Sequence, residues 1–238
     1  MHRVYVDFDL SRVKPGEELV IEGDEARHAL RVKRIEPGER IIALDGAGGI
    51  AEGVALADSA RKKDVPLRIR VEKVRQAERV VPRLEIASAT PKGGRVDDMI
   101  DQLSQAGAAA WRPLETARGV ADPRETKLAR LERVAREASK QSGRAWVLEI
   151  GERIGFADAL RSESGVEVLI ADASGEAYEP SGARMIRLLV GPEGGLTSEE
   201  LGAARSAGAR VVRLGPHVMR IETAAVVAAG AVMGGSQA

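Results

Sequence analysis

The sequence predicts an α/β protein in which a small β-rich domain precedes a domain of alternating strands and helices. Three observations support this fold class. Short β-rich runs fill about the first 75 residues, strands alternate with helices after Arg79, and one apolar strand runs directly into a glycine-rich loop. The chain has 238 residues, which is enough for one large domain or two modest ones at about 150 residues per domain.

The first domain, residues 1–75, is expected to be a small barrel or sandwich. Turn signals, of which Lys14-Pro15-Gly16 and Glu36-Pro37-Gly38 are two, separate its strands. A helix from Asp24 to Arg34 interrupts them, and Asp24 is its predicted N-cap. The predicted strands are Val4–Phe8, Leu19–Ile21, Arg40–Leu44, Ile50–Leu56 and Leu67–Val71.

A polar run between Glu72 and Pro82 is the predicted linker to the second domain, residues 80–238. The alternation of strands and helices in this domain predicts a parallel sheet with helices packed on it. The predicted strands are Leu84–Ala87, Val166–Ala171, Met185–Val190 and Arg210–Leu214. The predicted helices are Val96–Ala106, Glu125–Gln141, Thr197–Ala207 and Glu222–Met233.

Composition excludes several kinds of site. The sequence has no cysteine, which excludes disulfides, thiolate metal sites and cysteine nucleophiles, and its three histidines do not favour a histidine metal site. Equal numbers of basic and acidic residues, 36 of each, exclude a uniformly basic protein but not a local basic patch. No stretch reaches the roughly 20 apolar residues of a membrane helix, and we expect a cytoplasmic protein that needs no metal.

The sharpest local feature is the segment from Leu189 to Glu200, in which a buried strand runs through Gly-Pro-Glu-Gly-Gly into a helix. Thr197 and Glu200 have the spacing of a capping box, which fixes the start of that helix. Glycines at the carboxyl end of a strand let a ligand approach the backbone, so the loop is a candidate small-molecule site. An ordinary tight turn explains the same spacing equally well.

A second loop has the same strand–loop–helix pattern, with Leu214-Gly215-Pro216 leading to Met219-Arg220-Ile221-Glu222-Thr223-Ala224. Arg220 and Glu222 are charged residues at the start of an otherwise apolar helix. They are candidate functional residues, although helix capping and a local ion pair also account for them.

Together these motifs resemble the RsmE family of SPOUT-superfamily methyltransferases. Three further segments resemble family motifs in the expected order. They are Arg27 to Arg34, the run that begins at Pro91-Lys92, and Ala135 to Arg144. Ile221 departs from the family pattern, which usually has threonine there, so this chain has no side-chain hydroxyl at that position.

The resemblance implies a SPOUT α/β-knot domain with a trefoil knot, an N-terminal PUA-like β-barrel and a homodimer. It implies methylation of N3 of a specific uridine, position 1498 in conventional numbering, of 16S rRNA in the small ribosomal subunit. The implied methyl donor is S-adenosylmethionine. Carried over by motif, the residues that bind it are Gly191, Glu193, Gly194, Gly195, Leu214, Gly215, Val218, Met219 and Arg220.

Uracil N3 must lose a weakly acidic proton before it is methylated, so a base or a charge stabiliser is useful. Glu222 is the candidate proton acceptor and Arg220 the candidate stabiliser of a developing uracil oxyanion. A purely structural role for both is an equally weighted alternative, because charged groups near pockets are often structural.

Basic residues indicate where RNA would bind. At 100° per residue, the helix around residues 128–144 places its basic side chains on one arc and its apolar side chains opposite. Such a face is more often simply solvated, but the family resemblance favours phosphate contact. The candidate RNA-binding residues are Arg27, His28, Arg31, Arg34, Lys92, Arg136, Lys140, Gln141 and Arg144.

Two other functions remain open at this point. One is a SPOUT enzyme that acts on a different RNA position. The other is a non-catalytic RNA-binding assembly factor with the same fold, which donor binding would distinguish.

Overall fold

The computed structural model describes residues 1–57, 66–119, 125–161 and 164–235, with only the backbone for 125–127. It divides into two compact units. Unit 1 contains Met1–Arg79 together with Ser139–Val147, and unit 2 contains Val80–Ala138 together with Leu148–Ala238. The sequence analysis assigns residues 139–147 to the second domain, whereas the structure groups them with the first.

Unit 1 is built around a β-sheet with strand order β1-β3-β4-β5-β2. β1 pairs with β3 in parallel, and the other pairings are antiparallel. Apolar side chains at alternate positions, such as Leu67, Ile69 and Val71, form its buried core. Its elements are β1 (His2–Tyr5), β2 (Glu18–Ile21), α1 (Gly23–Arg27), β3 (Arg40–Leu44), β4 (Gly49–Ala55) and β5 (Leu67–Gln76).

Two predictions for unit 1 are wrong in detail. The residue before α1 is Glu22, so Asp24 is not the N-cap; its carboxylate instead accepts a hydrogen bond from Arg27 at 2.7 Å. The predicted linker begins as strand, because β5 continues through residues 72–76 alongside β4. After α1 the chain forms a π-helical turn, His28–Val32.

The segment Ser139–Val147 is tied to the rest of unit 1 by backbone and side-chain hydrogen bonds. The Tyr5 hydroxyl donates to the Arg144 carbonyl at 2.6 Å, and the Trp146 indole donates to the Ala77 carbonyl at 3.2 Å. The Arg79 guanidinium lies 3.8 Å from the centre of the Trp146 ring, within cation–π range. These contacts account for the grouping of this segment with the first 79 residues.

Unit 2 confirms the predicted alternation of strands and helices. Its sheet has the order β12-β10-β11-β6-β7-β8, with β9 also beside β7, and every described pairing is parallel. The strands are β6 (Arg83–Ser88), β7 (Ala110–Glu115), β8 (Glu149–Ile150), β9 (Ile154–Gly155), β10 (Val166–Ala177), β11 (Met185–Val190) and β12 (Arg210–Arg213). The helices are α2 (Arg95–Ala106), α3 (Glu125–Ser142), α4 (Phe156–Ala159), α5 (Ser198–Ser206) and α6 (Ile221–Gly235).

The interior of unit 2 is largely apolar, and one pair of its buried polar groups is hydrogen-bonded. The fully buried Trp111 donates its indole hydrogen to the Ser88 hydroxyl at 2.9 Å, and that hydroxyl contacts the Met99 sulfur at 3.9 Å. On α3, the predicted apolar side chains Leu131, Ala135 and Ala138 are buried. No helix within the described ranges is long and apolar enough to span a membrane.

Candidate active site

A cavity of about 290 Å³ lies where three parallel strands of unit 2 end. Ala171 in the middle of β10 pairs with Val190 of β11 and with Val212 of β12. The carboxyl ends of β11 and β12 therefore lie on either side of the point where the regular pairing of β10 ends. The cavity walls are the residues after these points, within 171–173, 190–196 and 213–219, together with Ile221 and Ala224 of α6. Ligands of open α/β sheets bind at this edge.

The loop after β11 depends on its glycines. The Gly195 amide donates to the Pro192 carbonyl at 2.8 Å and closes a turn, and Gly195 has φ +69°, a conformation that favours glycine. A Cβ on Gly191 would lie 3.0 Å from Leu196 Cγ, tighter than ordinary packing. The turn therefore exposes backbone rather than side chains to the cavity.

Hydrogen bonds on its outer side hold this loop in place. Thr197 and Glu200 form the predicted capping box, with distances of 2.8 and 3.1 Å. The second carboxylate oxygen of Glu200 accepts from the Ala117 amide at 2.8 Å, and Arg118 donates to the Gly194 carbonyl at 2.7 Å. The loop that follows β7 therefore buttresses the glycine loop.

Local hydrogen bonds also stabilise a negative charge at the start of α5. Bonds from its own backbone amide and from the Thr197 hydroxyl, together with the nearby Arg118 charge, hold the pKa of Glu199 below its ordinary value. This residue is exposed, in keeping with the favourable position of carboxylates at helix N-termini.

The strand β10 contributes an acidic residue, Asp172, to the lining of the cavity. Asp172 accepts hydrogen bonds from the Ser174 amide and hydroxyl at 2.9 and 2.6 Å. The pairing of β10 with β12 shifts between Ala171 and Glu176, and a Cβ on Gly175 would lie 2.5 Å from the Val211 carbonyl oxygen. Glycine at 175 thus lets β12 approach closely at this irregularity in the pairing.

Arg220 and Glu222 lie beside the cavity rather than in its wall. Arg220 is exposed, and its carbonyl accepts the Ala224 amide at 2.8 Å in the first turn of α6. One Glu222 oxygen lies 3.3 Å from a guanidinium nitrogen of Arg95, the first residue of α2. The other oxygen, Oε2, is buried and has no hydrogen-bond partner among the described residues.

Comparison with known proteins identifies the domains. A family model described as "RNA methyltransferase domain" matches residues 78–233, and one described as "RNA methyltransferase PUA domain" matches residues 21–54. A Mycobacterium bovis protein named ribosomal RNA small subunit methyltransferase E is 36% identical over 91% of this chain and 86% of its own length. The chain belongs to the RsmE family. The Bacillus subtilis protein of the same name is 26% identical over 98% of this chain and 96% of its own length.

Solved structures agree with this assignment. A probable rRNA-methyltransferase from Porphyromonas gingivalis superposes with a TM-score of 0.84 at 26% identity, covering 100% of this chain and 99% of its own. The family member from Neisseria gonorrhoeae, solved with bound S-adenosylmethionine, gives 0.82 at 25% identity, covering 97% and 96%. The fold is therefore the SPOUT α/β-knot domain with an N-terminal PUA-like domain, as the resemblance implied.

Within this RsmE-family site, every residue predicted to bind the cofactor lines the cavity except Arg220. Asp172 and its neighbours, which form the third wall, are not among the residues predicted from the sequence. A usable signal was present, because Val166–Ala171 was a predicted parallel strand and the residues after it had to reach the same edge. Arg95 was also missed, since nothing in the sequence pairs it with Glu222.

The RNA-binding candidates of the PUA-like domain lie on α1 and the π-helical turn. Arg27, His28, Arg31 and Arg34 are all exposed there. Arg34 has φ +52°, which is unusual for a residue with a side chain. Its position ends the helical turn, where the Ile35 amide donates to the Ala29 carbonyl at 3.2 Å.

The prediction of one exposed basic face on α3 is wrong at its carboxyl end. The Lys140 ammonium lies 2.7 Å from Glu25 and its side chain is only 10% exposed. Arg144 lies beyond the helix, and burial lowers the pKa of its guanidinium. Gln141 and Lys92 are exposed, and Arg136 is half-buried. Helical periodicity places a side chain on a face but does not show which other elements pack there.

Proposed function

We propose that this protein transfers a methyl group from S-adenosylmethionine to N3 of a specific uridine of 16S rRNA in the small ribosomal subunit. The observation that carries the proposal is the glycine-lined cavity at the carboxyl ends of β10, β11 and β12, within a domain of the RNA methyltransferase family. The relative from Neisseria gonorrhoeae is a protein of this family bound to S-adenosylmethionine.

The residues of the cavity suit this cofactor. Backbone groups of the turn at Pro192–Gly195 are open to a ligand because Gly194 and Gly195 carry no side chain. Two of the lining residues, Asp172 and Glu193, are acidic, and their negative charge complements a positively charged sulfur and amino group. When bound, the cofactor supplies a methyl group on a cationic sulfur, and the sulfur is the leaving group when a nitrogen nucleophile takes the methyl group.

The reaction also requires that N3 of the acceptor uracil lose its proton and that the resulting negative charge be stabilised. Glu222 Oε2 is a buried oxygen with no donor in the described residues, one residue from the cavity-lining Ile221. We propose that this oxygen accepts the N3 proton of uracil, which leaves N3 nucleophilic. Arg220 is exposed at the start of the same helix, and its cation stabilises negative charge that develops on a uracil oxygen.

Exposed cations around both units support contact with the rRNA backbone. In unit 1 these are Arg27, Arg31 and Arg34, and in unit 2 Lys92. Such contacts supply affinity and orientation without reading sequence. We further propose that the protein acts as a homodimer in the cytoplasm, where its substrate subunit is found, and that it needs no metal.

The decisive experiment measures transfer of labelled methyl from S-adenosylmethionine to small subunits that lack the modification. Reverse transcription maps the product, because an N3-methyl group blocks Watson–Crick pairing. A single stop at the family's uridine supports the proposal. A stop elsewhere, or donor binding without transfer to these subunits, indicates another RNA position. Absence of both transfer and donor binding favours the assembly-factor function.

The catalytic roles need their own variants. Glu222→Gln keeps the shape of the side chain and removes the basic oxygen, and Arg220→Ala removes the cation. General-base contributions are typically 10²–10⁴-fold, so we expect a drop in kcat of about 10²-fold or more for Glu222→Gln. Full turnover by both variants would refute these roles and leave helix capping as the explanation.

A further inference from the structure

Arg95 connects the active-site carboxylate to a neighbouring loop. Its Nε donates to the Lys92 carbonyl at 3.2 Å, and its Nη1 lies 3.3 Å from Glu222 Oε1. The planar guanidinium therefore makes two hydrogen bonds from different nitrogens. This fixes its orientation more firmly than that of a lysine ammonium at the same position. The first turns of α2 and α6 meet at this point.

This contact makes the two Glu222 oxygens different from each other. Oε1 is held by Arg95, while Oε2 is buried without a donor among the described residues. Leaving a buried acceptor unpaired is energetically unfavourable, so an oxygen without a partner needs an explanation. The side chain as a whole is 16% exposed but Oε2 itself is covered, so contact with a base requires the atoms that cover this oxygen to move when the substrate binds.

The neighbouring residues locate the orphan oxygen relative to the cavity. Ile221 and Ala224 line the cavity and Glu222 does not, although all three share the first turn of α6. At 100° per residue, Glu222 projects from a different side of the helix than either neighbour. Its carboxylate is therefore suited to the acceptor base rather than to the methyl donor.

We infer that Arg95 is a positioning residue that presents Glu222 Oε2 to the N3–H of uracil, and that this pair selects uracil against cytosine. The inference rests on the proposed function for the identity of the reaction, but its base-selection part is testable by binding alone. Uracil N3 carries a hydrogen that a carboxylate accepts, whereas cytosine N3 is itself an acceptor and faces the carboxylate with repulsion. Sites built around one hydrogen bond strongly reject analogues that cannot form it.

The first test compares steady-state kinetics of wild type, Arg95→Ala and Arg95→Lys on unmodified small subunits. Arg83→Ala is the matched control, because Arg83 also forms an exposed ion pair in unit 2, with Glu149 at 3.4 Å. We expect Arg95→Ala to lower kcat at least tenfold with an unchanged dissociation constant for S-adenosylmethionine, and Arg95→Lys to recover part of the loss. Retained donor binding also shows that the variants are folded.

A double variant distinguishes positioning from an independent structural effect. If Arg95 acts through Glu222, Arg95→Ala added to Glu222→Gln lowers kcat no further than Glu222→Gln alone. Additive losses, unchanged kcat in Arg95→Ala, or a loss confined to donor binding would each overturn the positioning role. Failure of wild type to methylate subunits overturns the proposed function instead.

The second test needs no turnover. Filter binding compares RNA with uridine and with cytidine at the target position, in wild type, Glu222→Gln and Arg95→Ala. Wild type is expected to prefer uridine at least tenfold, and both variants to lose most of that preference, since an amide can donate to cytosine N3 and a released carboxylate no longer aims at the base. Equal preference in all three proteins would contradict the inference.

Discussion

Removing the Lys140 ammonium should destabilise unit 1 rather than weaken RNA binding. Lys140 Nζ lies 2.7 Å from Glu25 Oε2, and the two side chains are 10% and 21% exposed. The other Glu25 oxygen accepts the Tyr5 amide at 3.2 Å. Lys140→Met therefore leaves a largely buried carboxylate with one remaining hydrogen bond.

The magnitude follows from this burial. Deleting one partner of a fully buried ion pair costs roughly 3–5 kcal/mol. Partial exposure of Glu25 and its bond to Tyr5 reduce this cost, and we expect a loss of about 2–3 kcal/mol in the free energy of unfolding. Glu25→Gln combined with Lys140→Met removes both charges and keeps an acceptor for Tyr5, so it should recover about 1–2 kcal/mol of that loss.

Urea unfolding followed by the fluorescence of Trp146, which lies in the same unit, measures these changes. RNA binding by the double variant is measured as a function of salt. Loss of one phosphate contact lowers the salt slope by about 0.9, whereas a lysine already neutralised by Glu25 should leave the slope unchanged. A Lys140→Met cost below about 0.5 kcal/mol, or additive effects of the two substitutions, would refute the reasoning.

Three further predictions concern the cavity, the basic turn and a titrating group. Gly191→Ala places a Cβ 3.0 Å from Leu196 Cγ and should weaken S-adenosylmethionine binding, measured by calorimetry, at least tenfold. The control Gly202→Ala lies in α5 with open space around it and should raise the free energy of unfolding by about 0.5–1 kcal/mol. Arg34→Gly relieves a positive φ of 52° and should raise unfolding free energy by about 1 kcal/mol while reducing RNA affinity in filter binding. Burial, and next the Glu167 charge, raise the pKa of Tyr178, so an ultraviolet titration should show a tyrosine phase above pH 10 that vanishes in Tyr178→Phe.

The sign of the Tyr178 effect follows from linkage. A phenol whose folded pKa exceeds its unfolded value contributes stability below pH 10, and this contribution is lost as pH rises through the folded pKa. Arg210 opposes the shift, so Arg210→Gln should move the titration still higher. Ionisation at or below pH 10 would contradict the prediction, as would tight donor binding by Gly191→Ala or a destabilised Arg34→Gly.

Much of the fold could be predicted because local pattern and tertiary structure agree. The alternation in β5 and the apolar runs of β10 and β11 identify strands correctly, and the capping box at Thr197 places the start of α5. The grouping of residues 139–147 with unit 1 depends on contacts between positions far apart in sequence, such as Tyr5 with Arg144, that no local pattern shows.

The same division applies to the site. The two glycine loops could be found because glycine next to a buried strand has few local explanations. Asp172 lies in a bulge that depends on the close approach of β12 to Gly175, and Arg95 meets Glu222 across 127 positions of sequence. Packing decides which charged residues meet at such separations. For the same reason, Lys140 pairs with Glu25 instead of lying on the predicted exposed basic face.

The position of β12 at the end of the sheet has a dynamic consequence. This strand has four residues and pairs with β10, and the loop that follows it forms one wall of the cavity. Short edge strands open locally at a lower free energy than the strands inside a sheet. Opening of β12 would remove one wall of the cavity. The measured ligand affinity therefore depends on the equilibrium between the open and closed states of this strand. The ion pair of Arg210 with Glu167, at 2.6 Å, joins this strand to its neighbour, so its removal should weaken binding at a site that it does not line.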